Sequence, residues 1–298
     1  MAIAYKEVSS NKRRTVVLIL LFLLFIIGLG WVFSYAFDIY WLFPLAIGFA
    51  SFQAIISYWY SDKITLKISG AREMKHDDNK ELFHVVENLC ITAGLPMPKI
   101  YIIEDSAPNA FATGRDPKHG VICVTTGLLD KLKKLELEGV IAHELSHIGN
   151  YDIRLMTVVV VLVGIVALIS DWFLRISFLG GRGRDRGQLG AILILVGIVL
   201  ALLSPIIAVI IQLALSRSRE YLADSDAVLL TRYPKGLANA LEKISADREP
   251  LEAANKATAH LYIENPLKEH KGDKLGWFSG LFQTHPPVEE RIRRLREM

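Results

Sequence analysis

The sequence has few cysteines and little net charge, and each shortage excludes a class of protein. Its 298 residues include only two cysteines, Cys90 and Cys123, and both lie within apolar patterns. Such cysteines are typical of reduced core residues in a cytosolic domain, so a disulfide framework is excluded. The formal net charge is only +3, and the basic residues are scattered or flank apolar runs. Nothing in this distribution indicates a nucleic-acid partner.

Long hydrophobic runs are what the sequence has instead. Hydrophobic residues make up 52% of the chain, which is unusual for a soluble domain. The first run is too long for the hydrophobic region of a signal peptide and lacks a small-residue cleavage site, so we expect a retained anchor. Four stretches are long enough to cross a lipid bilayer: Thr15–Phe37, Ile39–Ser61, Leu155–Ser170 with its continuation to Leu179, and Gly187–Ser216.

The positions of Lys and Arg predict the orientation of these spans. Four basic residues precede the first span and place the N-terminus in the cytoplasm: Lys6, Lys12, Arg13 and Arg14. The basic loop Gly180–Gly187 would then lie outside, in conflict with the same rule. A second hairpin that does not fully cross the membrane therefore stays open as an alternative.

The predicted organisation alternates membrane and cytoplasmic segments. Residues 1–61 form an N-terminal transmembrane hairpin, and 62–154 form the first part of a cytoplasmic catalytic domain. Residues 155–216 form a second transmembrane hairpin, and 217–298 form the second part of the catalytic domain. Two spans separate the two catalytic parts, so both lie on the same side of the membrane.

The motif HELSH, residues 143–147, is the strongest chemical signal. His143 and His147 are four residues apart and share one face of a helix, where their nitrogens can bind two corners of a zinc tetrahedron. Glu144 lies beside the first ligand and can take a proton from metal-activated water. The alternative is an amphipathic helix whose histidines are ordinary surface or core residues. An apolar stripe around the motif predicts a buried helix, in which these polar side chains need partners.

The segment before the motif predicts a helix followed by a small antiparallel sheet. Residues 79–93 have helical periodicity, and Gly94 stands where a C-cap glycine belongs. Residues 62–75 are interpreted as a short strand or linker. Strands are predicted at 99–104 and 120–126, and the helix carrying HELSH is expected to begin near Gly127 or Leu128.

Residues 109–113 are a candidate sheet edge that binds an extended substrate by strand addition. The candidate substrate-binding residues are Asn109, Ala110 and Phe111. An ordinary hairpin strand is an equally good interpretation of these residues.

A catalytic zinc site needs a third protein ligand. Glu220 is the best candidate, because it follows the fourth span directly and so returns to the side of His143. Asp224 lies four residues later on the same helical face and could accept a hydrogen bond from a ligating histidine. The alternative is that both carboxylates lie on the surface and pair with Arg217 and Arg219.

His285 differs from the other histidines because two prolines and an amphipathic basic helix follow it. One interpretation is a capped terminal helix. The other is a catalytic histidine that donates a hydrogen bond to the developing oxyanion.

Taken together, these motifs resemble the membrane-bound zinc metallopeptidases of the HtpX type, relatives of the CAAX prenyl endopeptidase. The matching segments occur in the family's order and cover nearly the whole chain: Asn109–Gly114, Val140–His147, Ser216–Asp224, Ala257–Leu261, and Thr284–Pro287 with Arg291–Ile292.

The resemblance implies a mainly α integral membrane protein with four transmembrane helices and an α+β, zincin-like (gluzincin) catalytic domain. It implies one Zn²⁺ per chain held by His143, His147 and Glu220, with Glu144 as general base and proton shuttle. It also places Asn109 near substrate and His285 near the site. The implied enzyme lies in the bacterial inner membrane, faces the cytoplasm and degrades misfolded or damaged membrane proteins during stress.

Three rival interpretations are weaker. An intramembrane protease would have HELSH within a span, whereas charged residues flank it here. A four-span channel or transporter would need facing polar residues at mid-membrane, and the first two spans are nearly bare of them. A non-catalytic membrane scaffold would not need the intact ligand set.

Overall fold

Two long helices open the chain and pack against each other. This computed structural model describes residues 2–36, 38, 40–162, 217–247, 249–254, 258–264, 266 and 286–298. Helix α1 spans Ala2–Ala36 and α2 spans Leu42–Trp59. Within the described residues, only α1 is long and apolar enough to cross a membrane, over Val8–Val32. The four predicted spans are therefore not confirmed. Most of the third and all of the fourth lie in 163–216, outside the described residues.

Helix α1 has an inner and an outer face. Leu18, Phe22 and Ile26 recur every fourth residue and are buried against the protein. Leu20 and Leu24 point outward and are more than half exposed. Such an apolar surface needs a cover, and a bilayer provides one for a helix of this length.

The prediction of a strand or linker over 62–75 is wrong for its first half. Residues Ser61–Ile68 form a helix, α3, and only Arg72–Glu73 form a strand, β1. Hydrogen bonding continues from α2 through the break, with Tyr60 N donating to Ile56 O at 2.9 Å and Ile64 N to Tyr60 O at 3.0 Å. Extending an existing helix is easier than nucleating a new element, and this outweighs a short alternating pattern.

Helix α4, Lys80–Ala93, agrees with its prediction at both ends. The Asn79 side chain accepts a hydrogen bond from Leu82 N at 3.0 Å and caps the N-terminus. Gly94 adopts the left-handed conformation, with φ 64°, and ends the helix. The predicted apolar face, including Val86 and Leu89, is buried.

The sheet is mixed, so the predicted antiparallel sheet is wrong in one pairing. Strand β2 is Lys99–Ile103, β3 is Ala110–Thr113 and β4 is Val121–Thr125, in the order β1-β2-β4-β3. β1–β2 and β4–β3 are antiparallel, but β2 and β4 run parallel. Strand β4 is buried throughout, which fits an inner strand covered on both faces. Strand β3 is an edge, as the sequence predicts.

The helix that carries HELSH begins later than predicted. Thr126–Lys131 form a short helix, α5, and the chain is extended at Leu132 and Lys133 before α6 begins at Lys134 and runs to Gly149. Glu136 accepts a hydrogen bond from Lys133 N at 2.7 Å and caps the new start.

The remaining described elements surround α6. Residues 152–162 are helical and lead into the part of the chain that is not described. Helix α7 is Arg217–Thr231, α8 is Pro234–Ala246 and α9 is Val288–Glu297, with a turn of 3₁₀ helix at Ala259–Leu261.

The close packing of α6 on α8 depends on a glycine. A Cβ atom at Gly139 would lie 2.6 Å from Leu237 N, so only glycine fits at this crossing. The main core lies between α4, the sheet, α6 and α8 and holds α6 rigidly. The helix that bears both histidines is thus fixed on several sides.

Candidate active site

Helix α6 brings His143 and His147 together. Their Nε2 atoms lie 3.1 Å apart and their rings are nearly perpendicular, at 88°. Both side chains are buried, at 1% and 7% exposure. Two nitrogens bound to one tetrahedral zinc at about 2.0–2.1 Å would be roughly 3.3 Å apart, so the observed separation fits a shared metal.

Helix α7 supplies the third candidate ligand. The Glu220 oxygens lie 3.7 Å from His143 Nε2 and 3.6 Å from His147 Nε2. One ligand atom from each of the three residues lies within 4.8 Å of the others. Glu220 is buried, so the alternative of a surface carboxylate is wrong. Two imidazoles and one carboxylate are a donor set suited to a catalytic divalent metal.

A carboxylate holds the far nitrogen of each histidine. His143 Nδ1 lies 3.0 Å from Asp224 Oδ1, and His147 Nδ1 lies 3.0 Å from Asp152 Oδ2. A carboxylate at Nδ1 keeps the proton there and leaves the Nε2 lone pair for a metal. Both Nε2 atoms are therefore available to bind a metal at the cluster.

Sequence reasoning proposed Asp224 for this position but missed Asp152. Asp152 follows Tyr151, which has a positive φ of 61° and turns the chain back beside His147. An aspartate five residues after the second histidine, at the start of the next helix, was the available signal. Asp152 lies beyond the end of α6, and nothing in its spacing from His147 indicates that the chain turns back.

Arg291 on α9 belongs to a segment that the sequence analysis matched to the family, but its role was not predicted. It is completely buried and donates to both oxygens of Asp224, from Nε at 2.9 Å and from Nη2 at 2.7 Å. Its Nη1 donates to Ile263 O at 3.1 Å. A bidentate pair of this kind fixes the plane of the carboxylate and, through it, the ring of His143.

Burial and charge shift the pKa values in opposite directions. Burial lowers the pKa of His143 and outweighs its hydrogen bond to Asp224. Burial would also lower the pKa of His147, but Asp152 and Glu220 raise it to about 9. The positive charge of Arg291 overcomes the effect of burial and lowers the pKa of Asp224 to about 2. Before metal binds, the cluster thus holds a proton on His147 at neutral pH.

Glu144 is close enough to the histidine cluster and to the sheet to act electrostatically on a residue of each. It is buried. Its charge raises the pKa of Cys123 on β4, after the larger effect of burial, and contributes to the raised pKa of His147. The carboxylate is therefore near both His147 and β4.

The candidate substrate-binding residues lie on the edge strand, beside a segment of the same chain. Ala110 O accepts a hydrogen bond from Ile263 N at 2.9 Å, and Asn109 Nδ2 donates to Glu264 O at 3.0 Å. The Phe111 ring packs on Tyr262 at 5.0 Å. Residues 109–111 are therefore already in contact with residues 262–264.

Ala112 is the next outward-facing residue of β3. The bond from Thr125 N to Asn109 O turns residues 109, 111 and 113 toward β4, so 110 and 112 face away from it. Ala112 is itself buried, and no described residue outside the sheet hydrogen-bonds to its backbone groups. The candidate His285 lies outside the described residues; Pro286 and Pro287 precede α9, as its helix-start pattern predicts.

Comparisons with known proteins agree with this geometry. The family model described as "Peptidase family M48" matches residues 76–298. A "Protease HtpX homolog" of Dictyoglomus thermophilum is 50% identical over 99% of this chain and 94% of its own length. One of Tropheryma whipplei is 45% identical over 99% and 98%.

A solved structure of S. mikatae Ste24p is also similar, with 20% identity and a TM-score of 0.47, covering 98% of this chain and 67% of that one. The family match and the full-length relatives are the stronger findings. The chain belongs to peptidase family M48 and is a membrane metalloprotease similar to the HtpX homologues.

Proposed function

We propose that this chain is a zinc-dependent endopeptidase that hydrolyses peptide bonds of misfolded or damaged membrane proteins. One observation carries the proposal: three buried metal-binding side chains converge from α6 and α7, and Glu144 lies beside them. A metal-dependent protease follows from the family. Zinc, the substrate class and a role in stress rest on the donor set and on the resemblance to HtpX-type enzymes.

Zinc suits this donor set better than the other common divalent metals. Mg²⁺ and Ca²⁺ prefer oxygen ligands, whereas two imidazole nitrogens and one carboxylate are typical of catalytic zinc. Three protein ligands would leave the fourth position open to water and substrate. His143, His147 and Glu220 would hold the ion.

When bound, zinc would supply a Lewis acid that acidifies water and polarises the scissile carbonyl. Glu144 then acts as general base, taking the proton of the attacking water and later delivering it to the leaving amine. Asp152 and Asp224 keep the histidine protons on Nδ1 throughout. A role for His285 as an oxyanion donor remains part of the proposal on sequence grounds alone.

The substrate would lie as an added strand along β3. Asn109 directly precedes this strand, Ala110 and Phe111 form its first half, and Ala112 offers an N–H and a C=O to an extended chain. Because α6 packs beside β3, such a chain would pass close to Glu144. Backbone pairing supplies affinity with little dependence on sequence, which suits a quality-control protease.

We further propose four membrane spans, with the catalytic parts 62–154 and 217–298 on the cytoplasmic side of a bacterial inner membrane. Asn11, just before the basic pair Arg13–Arg14, hydrogen-bonds to Asn150 beside the site. The basic end of α1 and the active site are therefore neighbours, as the positive-inside rule requires of a cytoplasmic site.

A band of cation–aromatic contacts supports a site at the membrane surface. Arg115 stacks on Trp59 at 4.8 Å, and Arg154 lies over the rings of Tyr58 and Tyr151 at 5.6 and 5.0 Å. Aromatic and basic side chains of this kind are enriched where protein meets lipid headgroups. The band lies where the end of α2 meets the catalytic domain.

The test compares detergent-purified wild type with Glu144→Gln, and uses Glu138→Gln as a matched control on the same helix. Metal content and cleavage of an unstructured peptide are measured on each. We expect about one zinc per chain in all three proteins and an about 10²- to 10⁴-fold lower rate in Glu144→Gln alone.

Two outcomes would overturn the proposal. An active Glu144→Gln protein would remove the general base. Absence of both zinc and cleavage in the wild type, purified without chelator, would favour the non-catalytic scaffold or transporter.

A further inference from the structure

We propose that the first membrane helix is part of the metal centre: Asn11 of α1 positions Asp152, which in turn positions the ligand His147. The inference rests on the proposed metal site and deepens it. It assigns a role to Asn11 and gives α1 a function besides anchoring.

The contact joins two distant parts of the sequence. Asn11 Nδ2 donates to Asp152 Oδ1 at 2.6 Å and to Asn150 O at 2.9 Å. The other oxygen of Asp152 lies 3.0 Å from His147 Nδ1. Asn11, Asp152 and His147 are all buried. The three side chains form a continuous path of direct hydrogen bonds from α1 to the proposed metal ligand.

The orientation of the Asn11 amide follows from its neighbours. Both groups that it faces are oxygen acceptors, so the nitrogen must point toward them. The Asn11 Oδ1 atom has no hydrogen-bond partner within the part of the chain that the structure describes. A buried polar atom in that state destabilises a protein. An apolar residue would avoid this, so the two donated bonds are the reason for an amide here.

The two oxygens of Asp152 have separate partners. Oδ2 receives His147 Nδ1–H, whereas Oδ1 receives Asn11, with Arg219 Nη1 farther away at 3.5 Å. Without Asn11, the carboxylate loses its shortest hydrogen bond and can rotate away from His147. The imidazole would then lose the partner that fixes its tautomer and ring plane.

The two histidine ligands therefore have different supports. The carboxylate of His143 is held by Arg291 of α9, within the catalytic domain. The carboxylate of His147 is held by Asn11 of the membrane helix. A shift of α1 along its axis changes the position of one ligand only. Membrane state is thereby coupled to the geometry of the metal site.

The experiment measures metal binding on the full chain in detergent, so it does not depend on protease activity. Asn11→Leu removes the donor at similar volume, and Asp152→Ala removes the carboxylate. Thr15→Val is the matched control, because Thr15 is buried one turn away on α1 and its hydroxyl, within the described part of the chain, donates to the backbone of Asn11 and to no other group. Zinc affinity is measured by chelator competition, and the visible spectrum is recorded with saturating cobalt.

We expect zinc affinity to fall about 10- to 100-fold in Asp152→Ala and about 3- to 10-fold in Asn11→Leu. The cobalt spectrum of Asn11→Leu should shift, because the ligand field at His147 changes, and Thr15→Val should match the wild type. A purely structural role for Asn11 would lower the melting temperature but leave the cobalt spectrum unchanged, and that result would overturn the inference. A wild type that binds neither metal would overturn the proposed site itself.

Discussion

Zinc binding should release a proton, and the structure predicts from which residue. In the metal-free protein the pKa of His147 is raised to about 9, while burial lowers that of His143. At pH 7 His147 therefore carries a proton that zinc must displace, whereas His143 is neutral. Two pH units below the pKa of His147 correspond to about 2.7 kcal/mol, or an about hundredfold weaker apparent affinity than above pH 9.

The assay is calorimetry at pH 6.5 in buffers of different ionisation enthalpy, combined with chelator competition between pH 6 and 7. Water on zinc has a pKa of about 7, so at pH 6.5 it contributes only a minor part of the released proton and the histidine supplies most of it. We expect close to one proton released per zinc and an about tenfold rise in affinity over that one pH unit.

Asp152→Asn provides the comparison, because it keeps the shape of the side chain and removes the charge that raises the pKa of His147. Proton release should fall to about half or less, toward the behaviour of an ordinary histidine with a pKa near 6.5. Release of less than about 0.3 proton by the wild type at pH 6.5 would refute the assignment of a protonated His147.

Three further variants test the packing, the buried ion pair and the edge strand. Gly139→Ala places a Cβ 2.6 Å from a backbone nitrogen of α8 and should lower the free energy of unfolding, measured by thermal denaturation, by about 1–3 kcal/mol. A Cβ at Gly149 would lie 3.5 Å from its nearest neighbour, a side-chain atom, so the control Gly149→Ala should be nearly neutral. Arg291→Ala leaves a buried carboxylate without its main partner, so it should cost about 3–5 kcal/mol in unfolding and weaken zinc binding. Arg293→Ala removes only an exposed pair and should have a much smaller effect, so equal losses would contradict this difference. Ala112→Pro removes a backbone N–H that faces away from β4, so kcat/KM should fall about tenfold while the zinc content stays unchanged. Full activity of this variant would exclude pairing of substrate at residue 112.

Features set by local chemistry could be predicted from the sequence. Asn79 and Gly94 mark the two ends of α4 because a side-chain cap and a left-handed residue act within one turn. The convergence of His143 and His147 follows from helical spacing alone. Glu220 required only that an even number of crossings return the chain to the same side.

Features set by long-range contact could not be predicted in this way. β3 follows β2 in the chain, but in the sheet it lies on the far side of β4, so β2 and β4 become parallel neighbours. No local sequence pattern specifies this order of strands. Asn11 and Asp152 are separated by 141 positions, and Arg291 and Asp224 by 67. Each of these residues looks like an ordinary polar residue of its own helix, and only the tertiary fold shows its partner.

The edge strand β3 has a consequence for how targets would be selected. Residues 262–264 cover one end of this four-residue strand, and toward its other end the outward backbone groups of the buried Ala112 have no hydrogen-bond partner among the described residues. The backbone groups of a folded helix or sheet are already paired with each other and cannot pair with Ala112. A polypeptide that has lost its own secondary structure can do so. Under the proposed function, discrimination between intact and damaged proteins would need no sequence code, because the conformational state of the target would itself be the signal.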